Sequence, residues 1–392
     1  MSVSVNSRRT RLRSALAVLL TVLVLLPAAG LLLRVLQENS KQRDNVQLEQ
    51  DGTEYLNALV PLISALAESQ SAALQGVAAE PASVTAAVSR VQIADDKFGK
   101  SLETTSRWTG LKAKIAKLPA IGKGTAKIFT AHVEVADLTL ALFDTVRENS
   151  TLNRDPDADI WFLQDVVAEQ APVAVTAVSR MSDLANMVVA ASSKTREPLK
   201  LQFAYQVQKV QEVVGDLTDG LQEAVNDTNS DTLSGNLVSN LDSFRRGIEA
   251  ANRGANFGAG KPDVSVLVTA QSTLQTALSA LSGVVLKEMA GLLDDRSDTL
   301  TYKRIEAFAV FGVAFALIVV ATLWTRGRAR QVQAALSEQP GENRRDVSVQ
   351  AAGATGGSAP ANPYGNNPYD QAPSYGEIPN YGGGRERSGA VR

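Results

Sequence analysis

Apolar residues recur at steps of three and four over most of this chain. Ile128, Ala131, Val135, Leu138, Leu142 and Val146 form one series, Val207, Val210, Val214, Leu217, Leu221 and Val225 a second, and Leu274, Leu278, Leu281, Val285 and Met289 a third. Each series lays one stripe along one face of a helix, the pattern of a coiled-coil-like bundle core rather than the alternation of a half-buried strand. The fold class predicted is all-α. Pro81, "LPAIGKG" at 118–124, "NRDPD" at 153–157, Pro198, "NDTNSD" at 226–231 and "GANFGAGKPD" at 254–263 punctuate the pattern. These breaks leave about six long helical segments, as an elongated bundle would use. Pro61 and Pro172 fall inside segments and are expected to kink them.

Two stretches are apolar all round and carry no charge: "SALAVLLTVLVLLPAAGLLL" at 14–33 and "AFAVFGVAFALIVVATLW" at 307–324. About 20 such residues in a helix span a bilayer, so both are predicted to be transmembrane helices. Arg8, Arg9, Arg11 and Arg13 precede the first, and Arg326, Arg328 and Arg330 follow the second. By the positive-inside rule a basic N-terminus (1–13) and the tail (325–392) are cytoplasmic, residues 34–306 are periplasmic, and the chain is a two-pass protein of the inner membrane. Lys303 and Arg304 at the outer end weaken this asymmetry without reversing it, and Trp324 suits an interfacial anchor. A cleaved signal peptide is the rival for the first stretch, because "PAAG" resembles a cleavage site. Leu31 to Leu33 continue apolar past it, which favours an anchor; "SRRTRLR" also touches on a twin-arginine signal. No Pro or Gly stands between Leu292 and Phe311, so the last ectodomain helix is expected to enter the membrane unbroken and carry a rigid-body shift.

Composition narrows the chemistry. With 392 residues and a net charge of -2, the chain has no electrostatic signature of nucleic-acid binding. It has no cysteine and one histidine, which removes disulfides, thiol catalysis and Cys/His zinc sites. Residues 337–392 gather six of the 14 prolines and four of the seven tyrosines, a composition that builds no core and predicts a disordered tail. Tyr364, Tyr369, Tyr375 and Tyr381 are its candidate partner-binding groups, or phosphorylation targets.

The acidic run "DPDADIWFLQD" at 155–165 raises a metal site first. An EF-hand beginning at Asp155 needs Gly at its sixth position and Glu at its twelfth, where this chain has Ile160 and Val166. Helix initiation explains the spacing better, with Asp155 as N-cap, Pro156 at the first helical position, and Asp157 and Asp159 at the positive end of the dipole. "GKGTAK" at 122–127 lacks the full phosphate-loop spacing and follows a helix, so it is expected to be a plain loop. His132 has no Ser/His/Asp constellation around it. No enzyme, metal or cofactor is predicted.

"VQIADDKFGKSLETTSRWTGLKAKIAKL" (91–118) and "FTAHVEVADLTLALFDTVRENSTLNRDPDADIWFLQDVV" (129–167) resemble the periplasmic sensor region of certain bacterial methyl-accepting chemotaxis proteins and sensor histidine kinases. In those a Trp precedes a Leu, a His-Thr pair lies on the next helix, and a later motif runs approximately Ser-x-Leu-Thr-Leu-Asp-Pro-Asp-x-Asp-Ser-Tyr-Tyr-Leu-Met-Asp. Trp108, His132, Leu152, Asp155, Pro156, Asp157, Asp159, Leu163 and Asp165 match; Trp161 and Phe162 replace the tyrosines, and Val133, Arg154, Ile160 and Gln164 depart. The resemblance implies a homodimeric helical sensor that shifts its membrane helices, with Trp108, His132, Asp157, Asp159 and Trp161 as ligand-binding candidates. Such receptors continue into a HAMP relay and an output domain, whereas here "RARQVQAALSEQ" leads straight into the tail. The expectation is therefore signal transduction to a separate kinase or chemotaxis-type output protein. The alternative is a scaffold that recruits partners through the tail without sensing.

Overall fold

The computed structural model describes residues 4–77, 81–153, 155, 158–227, 233–255 and 261–337. Pro156, Asp157 and the tail tyrosines Tyr364, Tyr369, Tyr375 and Tyr381 lie outside the described residues. The chain divides into two units, Met1–Arg326 and Gly327–Arg392; of the second, only residues 327–337 are described, and they are helical.

The described residues form nine α-helices and no strand: α1 Ser4–Leu74, α2 Ala82–Phe98, α3 Thr105–Ile115, α4 Thr125–Asn149, α5 Ala158–Asp165, α6 Ala171–Ala190, α7 Ser193–Asp227, α8 Leu233–Ala255 and α9 Val264–Ser337. The all-α expectation holds. In the first unit the two longest helices, of 71 and 74 residues, run antiparallel, because partners that climb along α1 descend along α9. Asn39 donates to the Leu300 carbonyl at 2.9 Å, Gln50 to Asp294 at 2.8 Å, the Ser64 and Ser279 hydroxyls meet at 3.2 Å, and Gln271 donates to Ser71 at 3.1 Å.

The other helices lean on this pair. α2 buries Val84, Val91 and Phe98, and the Tyr55 hydroxyl of α1 donates to its Asp95 at 3.0 Å. α6 is buried almost all round, and Gln206 of α7 donates to its Ala177 carbonyl at 3.2 Å. α8 meets α9 through glycine: a Cβ placed on Gly247 would stand 2.7 Å from the Leu274 side chain. On α9 the predicted stripe is the core, with Leu274, Leu278, Leu281, Val285 and Met289 all buried.

Several expectations need correction. The break assigned to Pro198 falls earlier, at Ala191 and Ser192, and Pro198 lies inside α7. Ser192 starts that helix: its carbonyl accepts from the Thr195 and Arg196 amides, and its hydroxyl meets that of Thr195 at 3.1 Å. A break between α2 and α3 carried no proline to announce it; there the Asp95 carboxylate takes the Thr104 hydroxyl at 2.7 Å as well as Tyr55. On α4 the buried face is rotated from the apolar stripe, with His132 and Thr139 inside and Leu138 exposed. Pro61 sits within continuous α1. At Pro172, which has no N–H for the Ala168 carbonyl, the preceding turn Val166–Gln170 widens so that the Ala171 amide bonds to the Val166 carbonyl.

Among the described residues three helices are long and apolar enough to cross a membrane, one more than the two predicted: the apolar parts of α1 and α9, and the stretch Ile160–Ala190. That third stretch is 72% buried inside the protein, whereas the apolar windows of the other two are 0% buried. Hydropathy separates them in the same way, with a mean of 1.2 for the third stretch against 2.4 and 2.5 for the other two.

Gln164 of α5 is fully buried with neither amide atom hydrogen-bonded. Its replacement by an isosteric apolar residue removes that desolvation cost. Gln164→Met is expected to raise stability by about 1–3 kcal/mol, measured by denaturant unfolding of the detergent-solubilised chain; an unchanged or lower midpoint would show that the amide is satisfied in solution.

Candidate functional site

The acidic motif reaches its place through a tight exit from α4. Ser150 ends that helix with its hydroxyl donating to the Val146 carbonyl at 2.6 Å, and Thr151 adopts a left-handed φ of 63°. Gly52 of α1 lies against this turn: a Cβ there would stand 2.3 Å from the Ser150 hydroxyl oxygen, so only glycine admits the contact. The turn thereby delivers Asp155 into the space between α1 and α9.

Asp155 was expected to cap a helix; residues 156 and 157, which join it to α5, lie outside the described residues. Its carboxylate, the side chain 0% exposed, accepts a hydrogen bond from Arg296 of α9 at 2.7 Å. Glu49 of α1 stands 3.9 Å from the same guanidinium and receives the Thr151 hydroxyl at a long 3.4 Å. One cation thus serves two buried carboxylates. Burial, and then the neighbouring Asp155, push the Glu49 carboxyl well above the usual carboxylate range, with Arg296 opposing. Its Oε2, buried and without a hydrogen-bond partner, is where a proton would sit.

The ligand candidates named from the sequence do not converge on one cavity. Trp108 of α3 is buried, and its Nε1 donates to Gln92 of α2 at 3.0 Å, which fastens those two helices. Trp161 of α5 is 38% exposed and packs edge-on against Phe162, in a hollow of about 530 Å³ shared with α7. Asp157 lies outside the described residues, and the backbone of Asp159 is in the first turn of α5.

His132 occupies a different cavity, of about 430 Å³, between the end of α1, the start of α2 and the start of α4. The segment "LPAIGKG", expected to break the helical pattern, makes a short 3-10 turn at Leu118–Ala120 and then enters α4 through Gly124 at φ 141°, a conformation that favours glycine; of "GKGTAK", expected to be a plain loop, residues 125–127 already belong to α4. Ser69 and His132 reach the cavity from the interior, both buried and neither with a hydrogen-bond partner among the described residues. Burial lowers the imidazole from 6.5 to about 4, so His132 is neutral at pH 7. Arg296 and this cavity were both missed from sequence: a lone Arg on a long helix and a generic loop carry no local signal.

Two predictions follow from these titrations. His132, the only histidine, should give one imidazole NMR signal with a midpoint near 4. Because its folded pKa is depressed, its stabilising contribution is complete above 6.5 and is lost as pH falls through about 4; a midpoint near the ordinary value overturns the buried placement. At the ionic cluster, Arg296→Met is expected to cost about 3 kcal/mol, since it strips the cation from a wholly buried carboxylate. Glu49→Gln should stay within about 1 kcal/mol of wild type near neutral pH. It should also abolish the loss of stability that the raised Glu49 brings as pH climbs through its folded value. Urea midpoints across pH check both, and equal costs for the two substitutions would contradict a neutral Glu49.

No protein-family model, curated protein or solved structure matches this chain.

Proposed function

We propose that the chain is a two-pass inner-membrane sensor whose extracytoplasmic helical bundle relays an envelope stimulus to a separate output protein by displacing α9. The observation that carries this proposal is the bond from Arg296 to Asp155: it ties the helix that enters the second apolar stretch to the loop bearing the sensor-like motif. Glu49, close to the same guanidinium, adds α1 to that junction.

Supporting the membrane placement, the side chains of Leu16, of 19–35 and of Tyr302–Trp324 leave large apolar faces in the open, far more than an isolated soluble surface tolerates. The antiparallel pairing of α1 with α9 puts both stretches at the same end of the first unit. Arginines at residues 8–13 and 326–330 favour cytoplasmic termini. The uninterrupted run of α9 past Arg296 favours transmission as a rigid body. A homodimer follows from the chemoreceptor resemblance. The scaffold alternative draws on the Pro/Tyr-rich composition of 337–392 and dispenses with any motion of α9.

The cysteine-free chain makes the test clean. Single cysteines along residues 293–303 should crosslink between copies in native membranes with a helical period, and the pattern should change in Arg296→Met and, more mildly, in Glu49→Gln. A cysteine replacing Glu54 should react with an impermeant maleimide from outside, and one replacing Arg328 only after lysis. Identical crosslink patterns in all three backgrounds would defeat the relay and favour the scaffold; reversed labelling would overturn the topology.

A further inference from the structure

The cavity beside His132 combines features that nothing in the packing of the bundle requires. Its deep end holds two buried polar side chains, Ser69 and His132, that have no partner among the described residues. Their polar atoms open into the cavity, where they can meet the polar atoms of a bound ligand. Its mouth holds the first turn of α4, a helix of 25 residues that begins without a capping side chain and without an acidic residue in its first turn. The Thr125, Ala126 and Lys127 amides there have no intrahelical acceptor and present the positive end of the helix dipole. Lys123 stands beside them and, among the described residues, is the sole charged residue lining the cavity. Between mouth and floor the wall is apolar, supplied by Leu74, Val84, Leu118, Ile121 and Ile128.

We infer that this cavity binds a small carboxylate with an apolar body, its anion held by Lys123 and the α4 amides and its far end set against His132 and Ser69. Each part of the ligand follows from a part of the site. A single lysine and a few amides match a carboxylate, and no acidic group lines the cavity among the described residues. The apolar wall excludes a ligand that is all charge, such as free phosphate. A volume of about 430 Å³ lies in the range of small-molecule sites, ~300–1,000 Å³. A neutral imidazole next to a hydroxyl can donate and accept, so the far end tolerates an apolar tip or rewards a hydroxyl or carbonyl there. The inference supplies a ligand class for the sensor proposed above, and rests on that proposal only for its consequence across the membrane.

The single histidine reports on the site directly. The untagged full chain in nanodiscs, labelled at histidine, is titrated with benzoate and hexanoate, with benzamide and hexanamide as uncharged counterparts, and with inorganic phosphate. Benzoate or hexanoate should shift the His132 resonances saturably, and the matching amide should bind about tenfold more weakly or worse. Lys123→Gln, on the surface, should erase most of that preference, and Ile128→Trp, which fills the cavity, should abolish the shift. Equal binding of acid and amide, equal binding of phosphate, an Ile128→Trp chain that binds like wild type, or no saturable shift with any probe would each overturn the site. Saturable binding that leaves the crosslinks at 293–303 unchanged would uphold the site and overturn the relay.

Discussion

The antiparallel contact between α1 and α9 is what the rest of the first unit depends on. Four side-chain bridges, from Asn39–Leu300 to Ser71–Gln271, pin the two helices along roughly 45 Å of their length at 1.5 Å per residue. α2 and α6 are fastened to α1, through Tyr55–Asp95 and Gln70–Asp183, and α8 closes on α9 at Gly247. α1 carries Pro27 and Pro61 within its length, whereas α9 has no internal proline at which to bend and absorb a local displacement. A push at one level has to appear as translation or rotation at the next.

Two helices joined only by leucine and alanine could slide by a turn at little cost. Two buried polar layers prevent that. At one level Asp183 accepts from Gln70 at 2.8 Å and Ser71 at 2.9 Å, and Gln271 completes the layer by donating to Ser71. Burial pushes the Asp183 carboxyl up to about 6, against the pull of the bonds from Ser71, Gln70 and Ser179. At the other level Arg296 draws Asp155 and Glu49 together. Slipping the register would strand charged groups in a low-dielectric interior, which costs far more than the layers contribute when formed. Their role is to specify alignment rather than to add stability, as polar residues do in coiled-coil seams.

The helical class and most breaks were legible because they depend on local chemistry: proline, glycine and the 3.6-residue period act within a few residues. Ser192, Asp95 and Gly52 were not legible in the same way, since each acts through a partner distant in sequence or through a cap with no proline nearby. Leu138 shows the limit of reading a stripe. A small rotation of α4 exchanges it for His132 and Thr139, and no pattern along one helix reveals which neighbours it will meet. The acidic motif was legible as a helix start, and its composition does suit one. What the local view could not contain is Arg296, 141 residues away, whose charge gives Asp155 its burial. Likewise Ile160–Ala190 reaches the length and apolarity of a membrane span, at a mean hydropathy of 1.2 against 2.4 and 2.5 for the two exposed stretches, and the helices packed around it make it core.

Ser69 at the cavity and Glu49 at the ionic cluster lie 20 residues apart on one helix, about 30 Å at 1.5 Å per residue. That separation determines how the two places can communicate. Two unit charges 30 Å apart in water interact by about 0.1 kcal/mol, and physiological salt with a Debye length of about 8 Å removes most of that. A ligand anion beside Lys123 therefore has no electrostatic influence on the protonation of Glu49. Coupling between them has to be mechanical, through the position of α1 against α4 at one end and against Arg296 at the other. The ionic cluster suits that task, because a hydrogen bond of 2.7 Å beside a contact of 3.9 Å can exchange one carboxylate for the other with a displacement of about 1 Å. The unbroken helices supply the lever, and the single guanidinium supplies two discrete places for it to rest.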